Sequence, residues 1–114
     1  MKSLGTTVTF LKRSDGALIG YTACGHSGYA EAGADIVCAA ISVLTQSAVI
    51  GMMEVLHLPV KLERDDGAGF LKAILPVENA PEAQVLLETM RLSLKSIRAE
   101  YPSFLKLITR EWRV

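Results

Sequence analysis

The chain has 114 residues, of which 50% are hydrophobic and 21% are charged. This composition is typical of one folded globular domain, here residues 1–114, and excludes a disordered or fibrous protein. Twelve basic and twelve acidic side chains cancel, so the basic excess of nucleic-acid-binding proteins is missing and we expect no direct nucleic-acid partner. The first seven residues lack the apolar core of an export signal, and there are only two cysteines, which together favour a reducing, cytoplasmic location.

The start of the chain is predicted to form a β-hairpin followed by a glycine-rich loop. Alternating apolar residues predict strands at 6–12 and 17–24, joined by the turn signal Ser14-Asp15-Gly16. Three glycines (Gly25, Gly28, Gly33) then fall within nine positions. Glycine tolerates backbone angles that other residues avoid, so the sequence predicts a mobile or sharply turning loop here.

A long apolar segment at residues 36–58 is predicted to be a helix that is apolar around nearly its whole circumference. Such a helix is buried on several sides, by a sheet on one side and, in an oligomer, by a partner subunit on another. Polar residues at 45–47 and the carboxylate of Glu54 would be costly in lipid, so we expect a core helix and no membrane association. Pro59 marks the end of the helix.

The second half of the chain is predicted to form another hairpin, an amphipathic helix and a last strand. The hairpin strands lie at 60–63 and 70–74, around the turn pair Asp66-Gly67. The helix follows Pro76, where Asn79 and Glu82 have capping-box spacing, and a strand begins at 104. The resulting order is ββαββαβ, which indicates a compact α+β domain with one buried and one amphipathic helix packed on a small sheet.

The most informative chemistry lies at the start of the first predicted helix. Asp35 is predicted to be its N-cap, which makes Ile36 the first helical residue and Cys38 the third. The positive end of the helix dipole would then favour the thiolate of Cys38. A histidine, His26, begins the glycine loop, and Ser42 lies one turn after Cys38 on the same helical face. Cysteine and histidine are the minimum for nucleophilic catalysis by sulfur.

Other interpretations of these residues stay open on the sequence alone. A lone cysteine is commonly a small packing hydrophobe, although the position of Cys38 after a glycine loop favours reactivity. Asp35 caps the helix or holds the imidazole of His26, and Ser42 donates to the sulfur, to substrate or back to the carbonyl of Cys38. Amides at the helix start, including that of Cys38, are candidate donors to a tetrahedral oxyanion.

Cys24 is expected to be a packing residue in the hairpin. A disulfide or a reversible redox pair with Cys38 is the alternative. Cys24, His26, Asp35 and Cys38 could together supply four metal ligands. The sequence has no CxxC or HxxxH pair, however, of the kind that metal sites often have. We therefore expect neither a metal nor a cofactor.

Several of these residues resemble the signature of a known family. Residues 25–28 (GHSG), 33–40 (GADIVCAA), Ser42 and 45–46 (TQ) are similar to the signature of Prp, the ribosomal-processing cysteine protease family of Firmicutes and related bacteria. The chain length and the ββαββαβ order are similar as well, so the resemblance covers essentially the whole chain.

The resemblance implies a function, a substrate and an assembly. Members of the family act as homodimers and remove a short N-terminal extension from the twenty-seventh protein of the large ribosomal subunit, cutting after phenylalanine. It implies that His26 and Cys38 are the catalytic dyad and that Asp35 and Ser42 support them. It also implies a mobile substrate loop that includes Gly25, Ser27, Gly28, Tyr29 and Gly33.

Three functions are therefore compatible with the sequence. The first is the protease, the second is a dimeric module that binds a ribosomal-protein peptide without cutting it, and the third is a thiol redox switch. The resemblance and the position of Cys38 favour the protease.

Overall fold

A five-stranded sheet and two α-helices make up the described part of the chain. The structure is a computed structural model that describes residues 5–25 and 32–112, with only the backbone described for 32–35. The strands are β1 (Thr6–Lys12), β2 (Leu18–Cys24), β3 (Lys61–Asp65), β4 (Phe70–Ile74) and β5 (Leu105–Glu111). The helices are α1 (Ala32–Ile50) and α2 (Ala80–Glu100). The predicted ββαββαβ order and the α+β class are confirmed.

The strand order in the sheet is β3-β4-β2-β1-β5. Three neighbouring pairs are antiparallel, whereas β1 and β5 are parallel, because the chain crosses the sheet through α2 before it enters β5. The register places Phe10 opposite Tyr21 and Val8 opposite Ala23. These side chains belong to one core cluster with residues of both helices, so both helices cover the same face of the sheet.

Helix α1 is buried on only one side in the single chain. Val37 and Ile41 pack into the core, but Ile36, Val43 and Ile50 on the outer side are 64%, 63% and 56% exposed. The predicted cover by the sheet is present on one side, and the cover predicted from a partner subunit on another side stays a prediction. An apolar circumference shows that a helix needs cover, but it does not show whether the same chain provides it.

The apolar segment Ile36–Val55 is long and hydrophobic enough, by composition, to cross a membrane. Its mean hydropathy is 2.0, and 28% of it is buried. After Ile50 the helix widens into a π-helical turn, Gly51–Val55, and a positive φ of 53° at His57 ends the helical path.

Helix α1 begins earlier than the sequence predicted. The predicted N-cap was Asp35, but the helix includes residues from Ala32 onward, so Asp35 lies inside its first turn. Alanine is the strongest helix former, and Ala32 and Ala34 extend the helix through a position that otherwise favours a cap. Gly33, predicted to belong to the glycine loop, also lies in this helix, which corrects that assignment.

Helix α2 starts close to its predicted position but without the predicted cap. Asn79 makes no side-chain cap hydrogen bond, and its Nδ2 donates instead to Oε1 of Glu82 at 3.3 Å. The side chain of Gln84 fixes the helix to the sheet. Its amide pairs with the backbone of Leu18, donating at 2.6 Å and accepting at 3.0 Å.

A buried hydroxyl connects α1 to the sheet. Tyr21 in β2 is 0% exposed, and its hydroxyl donates to the carbonyl oxygen of Thr45 in α1 at 2.5 Å. Burial raises the pKa of Tyr21 well above its ordinary value of 10.0.

This burial predicts a specific alkaline instability. Above about pH 10 the unfolded chain releases the Tyr21 proton while the folded chain retains it, so unfolding is favoured as pH rises, by about 1.4 kcal/mol per pH unit. Tyr21→Phe removes this dependence and costs about 1 kcal/mol at neutral pH through loss of the hydrogen bond. Urea unfolding of both proteins between pH 8 and about 11.5 measures the difference. If the free energies of unfolding of the two proteins changed in parallel with pH, the buried position of this hydroxyl would be contradicted.

Candidate active site

A cavity of about 270 Å³ lies between α1 and one end of the sheet. Helix α1 contributes Cys38, Ser42 and Gln46 to its wall, and the ends of β1 and β2 contribute Thr6 and Gly25. The remaining wall comes from β2 and from the hairpin between β3 and β4, with Ala23, Arg64, Asp66, Gly69, Phe70 and Leu71. Strand ends and one helix therefore surround the cavity.

Cys38 is a free, half-buried thiol in the wall of this cavity. The neighbouring residue Val37 is 1% exposed and packs into the core. This packing fixes the orientation of α1 on the sheet and therefore the direction in which the Cys38 side chain projects. Ile41 and Ser42, one turn later, line the same cavity. The thiol is thus held on a rigid helix but remains open to a molecule that enters the cavity.

Cys38 does not lie at the free end of the helix dipole. Counting from Ala32, it is the seventh residue of α1, and only the first four amides of a helix lack an intrahelical partner. The dipole effect also fades within the first turn. The prediction that the amide of Cys38 binds the oxyanion is therefore wrong, whereas thiolate stabilisation at Cys38 stays a prediction.

Three side chains of α1 form a polar group beside the thiol. Thr45 Oγ1 donates to the carbonyl oxygens of Ile41 at 3.0 Å and Ser42 at 3.2 Å. Ser42 Oγ accepts a hydrogen bond from Gln46 Nε2 at 2.8 Å. Among the described residues, no hydrogen bond joins the Ser42 hydroxyl to the carbonyl of Cys38, the alternative that the sequence had left open.

Gln46 was not predicted as a functional residue. It is exposed in the single chain, and in the sequence it counted only as a polar interruption of the apolar helix and as part of the signature. The signal that identifies it is spacing, because Cys38, Ser42 and Gln46 follow one another at intervals of four residues and so share one helical face.

Gly25 is fixed at the edge of the cavity. Its N–H donates to the carbonyl of Gly69 at 2.9 Å, and its own carbonyl accepts from Thr6 Oγ1 at 3.3 Å. Its φ is +102°, and a Cβ added there would lie 2.7 Å from the carbonyl oxygen of Gly5. Glycine is therefore required at this position by both conformation and space.

The remaining predicted site residues lie outside the described part of the structure. His26, the catalytic histidine predicted from the sequence, is the residue bonded to Gly25 and belongs to residues 26–31. The loop residues Ser27, Gly28 and Tyr29 lie there too, and the side chain of Asp35 is also not described.

Cys24 lies away from the cavity. Its neighbour Ala23 faces the cavity, and successive residues of a strand point to opposite faces of the sheet, so Cys24 is exposed on the other face. This arrangement disfavours a disulfide, a redox pair or a shared metal site with Cys38. Within residues 5–25 and 36–112, no three acidic, histidine or cysteine side chains are grouped as metal ligands.

Comparison with known proteins identifies the family. The family model for "Cysteine protease Prp" matches residues 6–106. The chain belongs to the Prp cysteine protease family. It is 28% identical over 105 residues to the ribosomal processing cysteine protease Prp of Bacillus subtilis, covering 89% of this chain and 94% of that protein. The family assignment made from the signature residues is confirmed, and the chain is a cysteine protease.

Solved structures of the Prp family have the same fold. The crystal structure of Staphylococcus aureus Prp in complex with a substrate peptide has a TM-score of 0.83 and is 28% identical, covering 92% of this chain and 99% of that chain. A second structure of that protein, with a covalently linked product peptide, has a TM-score of 0.81 at the same identity and coverage. The Prp fold therefore extends over nearly the whole chain.

The position of Gly25 gives a test of the cavity edge. Gly25→Ala combines a positive φ with a clash against Gly5, whereas Gly16→Ala has a similar φ of +92° and no neighbouring atom within 4 Å. We expect Gly16→Ala to cost about 1 kcal/mol of folding free energy, and Gly25→Ala to cost roughly 1–3 kcal/mol more. Urea unfolding of the two variants measures the difference, and equal losses would contradict the close approach of Gly25 to Gly5.

Proposed function

We propose that this protein is an endopeptidase that removes the short N-terminal extension of the twenty-seventh protein of the large ribosomal subunit, cutting after phenylalanine. The observation that carries the proposal is the cavity that Cys38 shares with Gly25, the residue bonded to His26. Relatives of this chain support the proposal. The Prp protein of Bacillus subtilis is named a ribosomal processing cysteine protease, and the crystal structure of Staphylococcus aureus Prp contains a substrate peptide.

In the proposed mechanism His26 removes the proton of the Cys38 thiol, and the sulfur attacks the carbonyl carbon of the scissile peptide bond. The electron pair of the carbonyl moves to its oxygen, giving a tetrahedral intermediate. That intermediate collapses when His26 returns the proton to the leaving amine. Water then hydrolyses the thioester and releases the extension with a new carboxylate.

Asp35 and Ser42 are proposed as supporting residues. We propose that the carboxylate of Asp35 orients the imidazole of His26, and the start of α1 before Asp35 favours this role over that of an N-cap. Ser42 projects into the cavity one turn after Cys38. We propose that residues of the segment 25–29 contact the bound peptide.

The cavity walls suit an apolar side chain next to the cut. Ala23, Ile41, Phe70 and Leu71 supply apolar surface, and the only charged residues in the described wall are Arg64 and Asp66 at its edge. A volume of about 270 Å³ lies below the roughly 300–1,000 Å³ of small-molecule sites and is suited to one large side chain of a peptide. We therefore assign this cavity to the phenylalanine that precedes the cut.

The proposed assembly is a cytoplasmic homodimer formed through the outer side of α1. Ile36, Val43 and Ile50 lie seven residues apart and form an exposed apolar stripe, which two copies related by a two-fold axis bury against each other. An apolar groove of about 460 Å³ beside it, between α1 and α2, includes Leu56 and Val85. No cofactor, nucleic acid or membrane partner is proposed.

Removing the thiol tests the proposed catalysis. Cys38→Ala is expected to abolish cleavage of a peptide that spans the ribosomal protein's extension, with no loss of folding cooperativity, and His26→Ala is expected to lower cleavage similarly. Cys24→Ala is the matched control, because Cys24 lies on the other face of the sheet and its loss should leave the rate unchanged. Mass spectrometry of the products measures cleavage. Cleavage by Cys38→Ala would exclude this thiol as the nucleophile, and binding without cleavage by the unaltered protein would favour a binding module.

A charge in the apolar stripe tests the proposed dimer. Val43 is 63% exposed, so Val43→Lys should leave the single chain folded while placing two like charges near the two-fold axis. We expect the unaltered protein to sediment as a dimer without detergent and the variant to sediment as a monomer. A monomeric unaltered protein, or one that needs detergent or lipid vesicles to stay in solution, would contradict this use of α1.

A further inference from the structure

The proposed reaction needs a hydrogen-bond donor for the oxyanion, and α1 does not provide it through its backbone. The free amides of α1 precede Asp35, and the N–H of Cys38 lies within the helical hydrogen-bond ladder. Removal of one oxyanion donor from a protease lowers kcat by roughly 10²–10³. A side chain in the cavity wall is therefore the next candidate for this donor.

The hydroxyl groups in the cavity wall differ in the hydrogen bonds that they donate. Thr6 Oγ1 donates to the carbonyl of Gly25, and Thr45 Oγ1 donates to backbone carbonyls of its own helix. Ser42 Oγ is an acceptor from Gln46 Nε2 at 2.8 Å, and among the described residues it donates to no protein atom. A serine hydroxyl has one proton and two lone pairs, so this contact leaves the proton of Ser42 available to the cavity.

We propose that Gln46 is a positioning residue that holds the Ser42 hydroxyl as a donor to the oxygen of the scissile carbonyl. When the Cys38 sulfur bonds to the carbonyl carbon, the π electron pair moves to oxygen, and Ser42 donates a hydrogen bond to that oxygen without transferring its proton. The pair re-forms the double bond when the leaving group departs. This inference rests on the proposed role of Cys38 as the nucleophile.

Two reactions of the same thiol separate oxyanion stabilisation from thiol reactivity. Acylation of Cys38 by p-nitrophenyl acetate passes through a tetrahedral oxyanion and releases p-nitrophenolate. Alkylation by iodoacetamide displaces iodide in one step and forms no oxyanion. Both rates are measured in a Cys24→Ser background, so that the exposed second thiol does not contribute.

The decisive variant is Gln46→Met, which keeps the length and helix propensity of the side chain but removes the donor. It is expected to slow acylation about fivefold, since one hydrogen bond contributes on the order of 1 kcal/mol, and to leave alkylation unchanged. Gln46→Glu is expected to slow acylation more, to about the level of Ser42→Ala. An ionised carboxylate accepts a hydrogen bond from the Ser42 hydroxyl, so that this hydroxyl no longer donates into the cavity.

The Ser42→Ala background distinguishes positioning from a separate effect of Gln46. In that background Gln46→Met should have no further effect on acylation, because the hydroxyl that it positions is gone. Unchanged acylation in Gln46→Met, equal losses in acylation and alkylation, or additive losses with Ser42→Ala would each overturn the proposal. If the unaltered protein is acylated at Cys38 but leaves the ribosomal-protein peptide uncut, only the proposed substrate is overturned.

Discussion

Among the residues that the structure describes, the buried hydroxyl of Tyr21 bonds to the carbonyl of Thr45, and that contact fixes where α1 lies on the sheet. Leaving a buried hydroxyl without a hydrogen bond raises the free energy of the folded state. A shift of the helix along β2 would break this bond and is therefore disfavoured. With Thr45 fixed, Ser42 and Cys38 are directed to the end of the sheet where the cavity lies. The geometry of the site therefore depends on a hydrogen bond inside the core.

Helix α1 has two sides that serve different purposes in the proposed protein. The side toward the strand ends presents Cys38, Ser42 and Gln46 to the cavity, while the outer side presents an apolar stripe to solvent. A small domain has little surface with which to cover a long apolar helix, and the proposed homodimer would supply that cover from a second copy. In the proposed dimer, the contact between copies would stabilise the same helix that carries the thiol.

The sequence predicted the elements better than it predicted their ends and surroundings. Alternation identified the full range of β1, because a strand with one buried face has a period of two, and the turn pair Asp66-Gly67 located β4. The start of α1 was wrong because Asp35 is a good N-cap by itself, whereas the alanines before it favour helix. Gln46 was missed because the four-residue spacing was followed only from Cys38 to Ser42, although the next step along the same helical face reaches Gln46, which donates to Ser42.

The most direct test of Cys38 as the nucleophile is where a substrate-like electrophile attaches to the protein. A peptide with the sequence of the extension and a chloromethyl ketone after its terminal phenylalanine alkylates the thiol that lies at the scissile bond. Digestion and mass spectrometry then locate the adduct. We predict one adduct per chain, on Cys38, with Cys24 unmodified. Modification of Cys24, or no adduct while iodoacetamide still labels Cys38, would contradict this assignment.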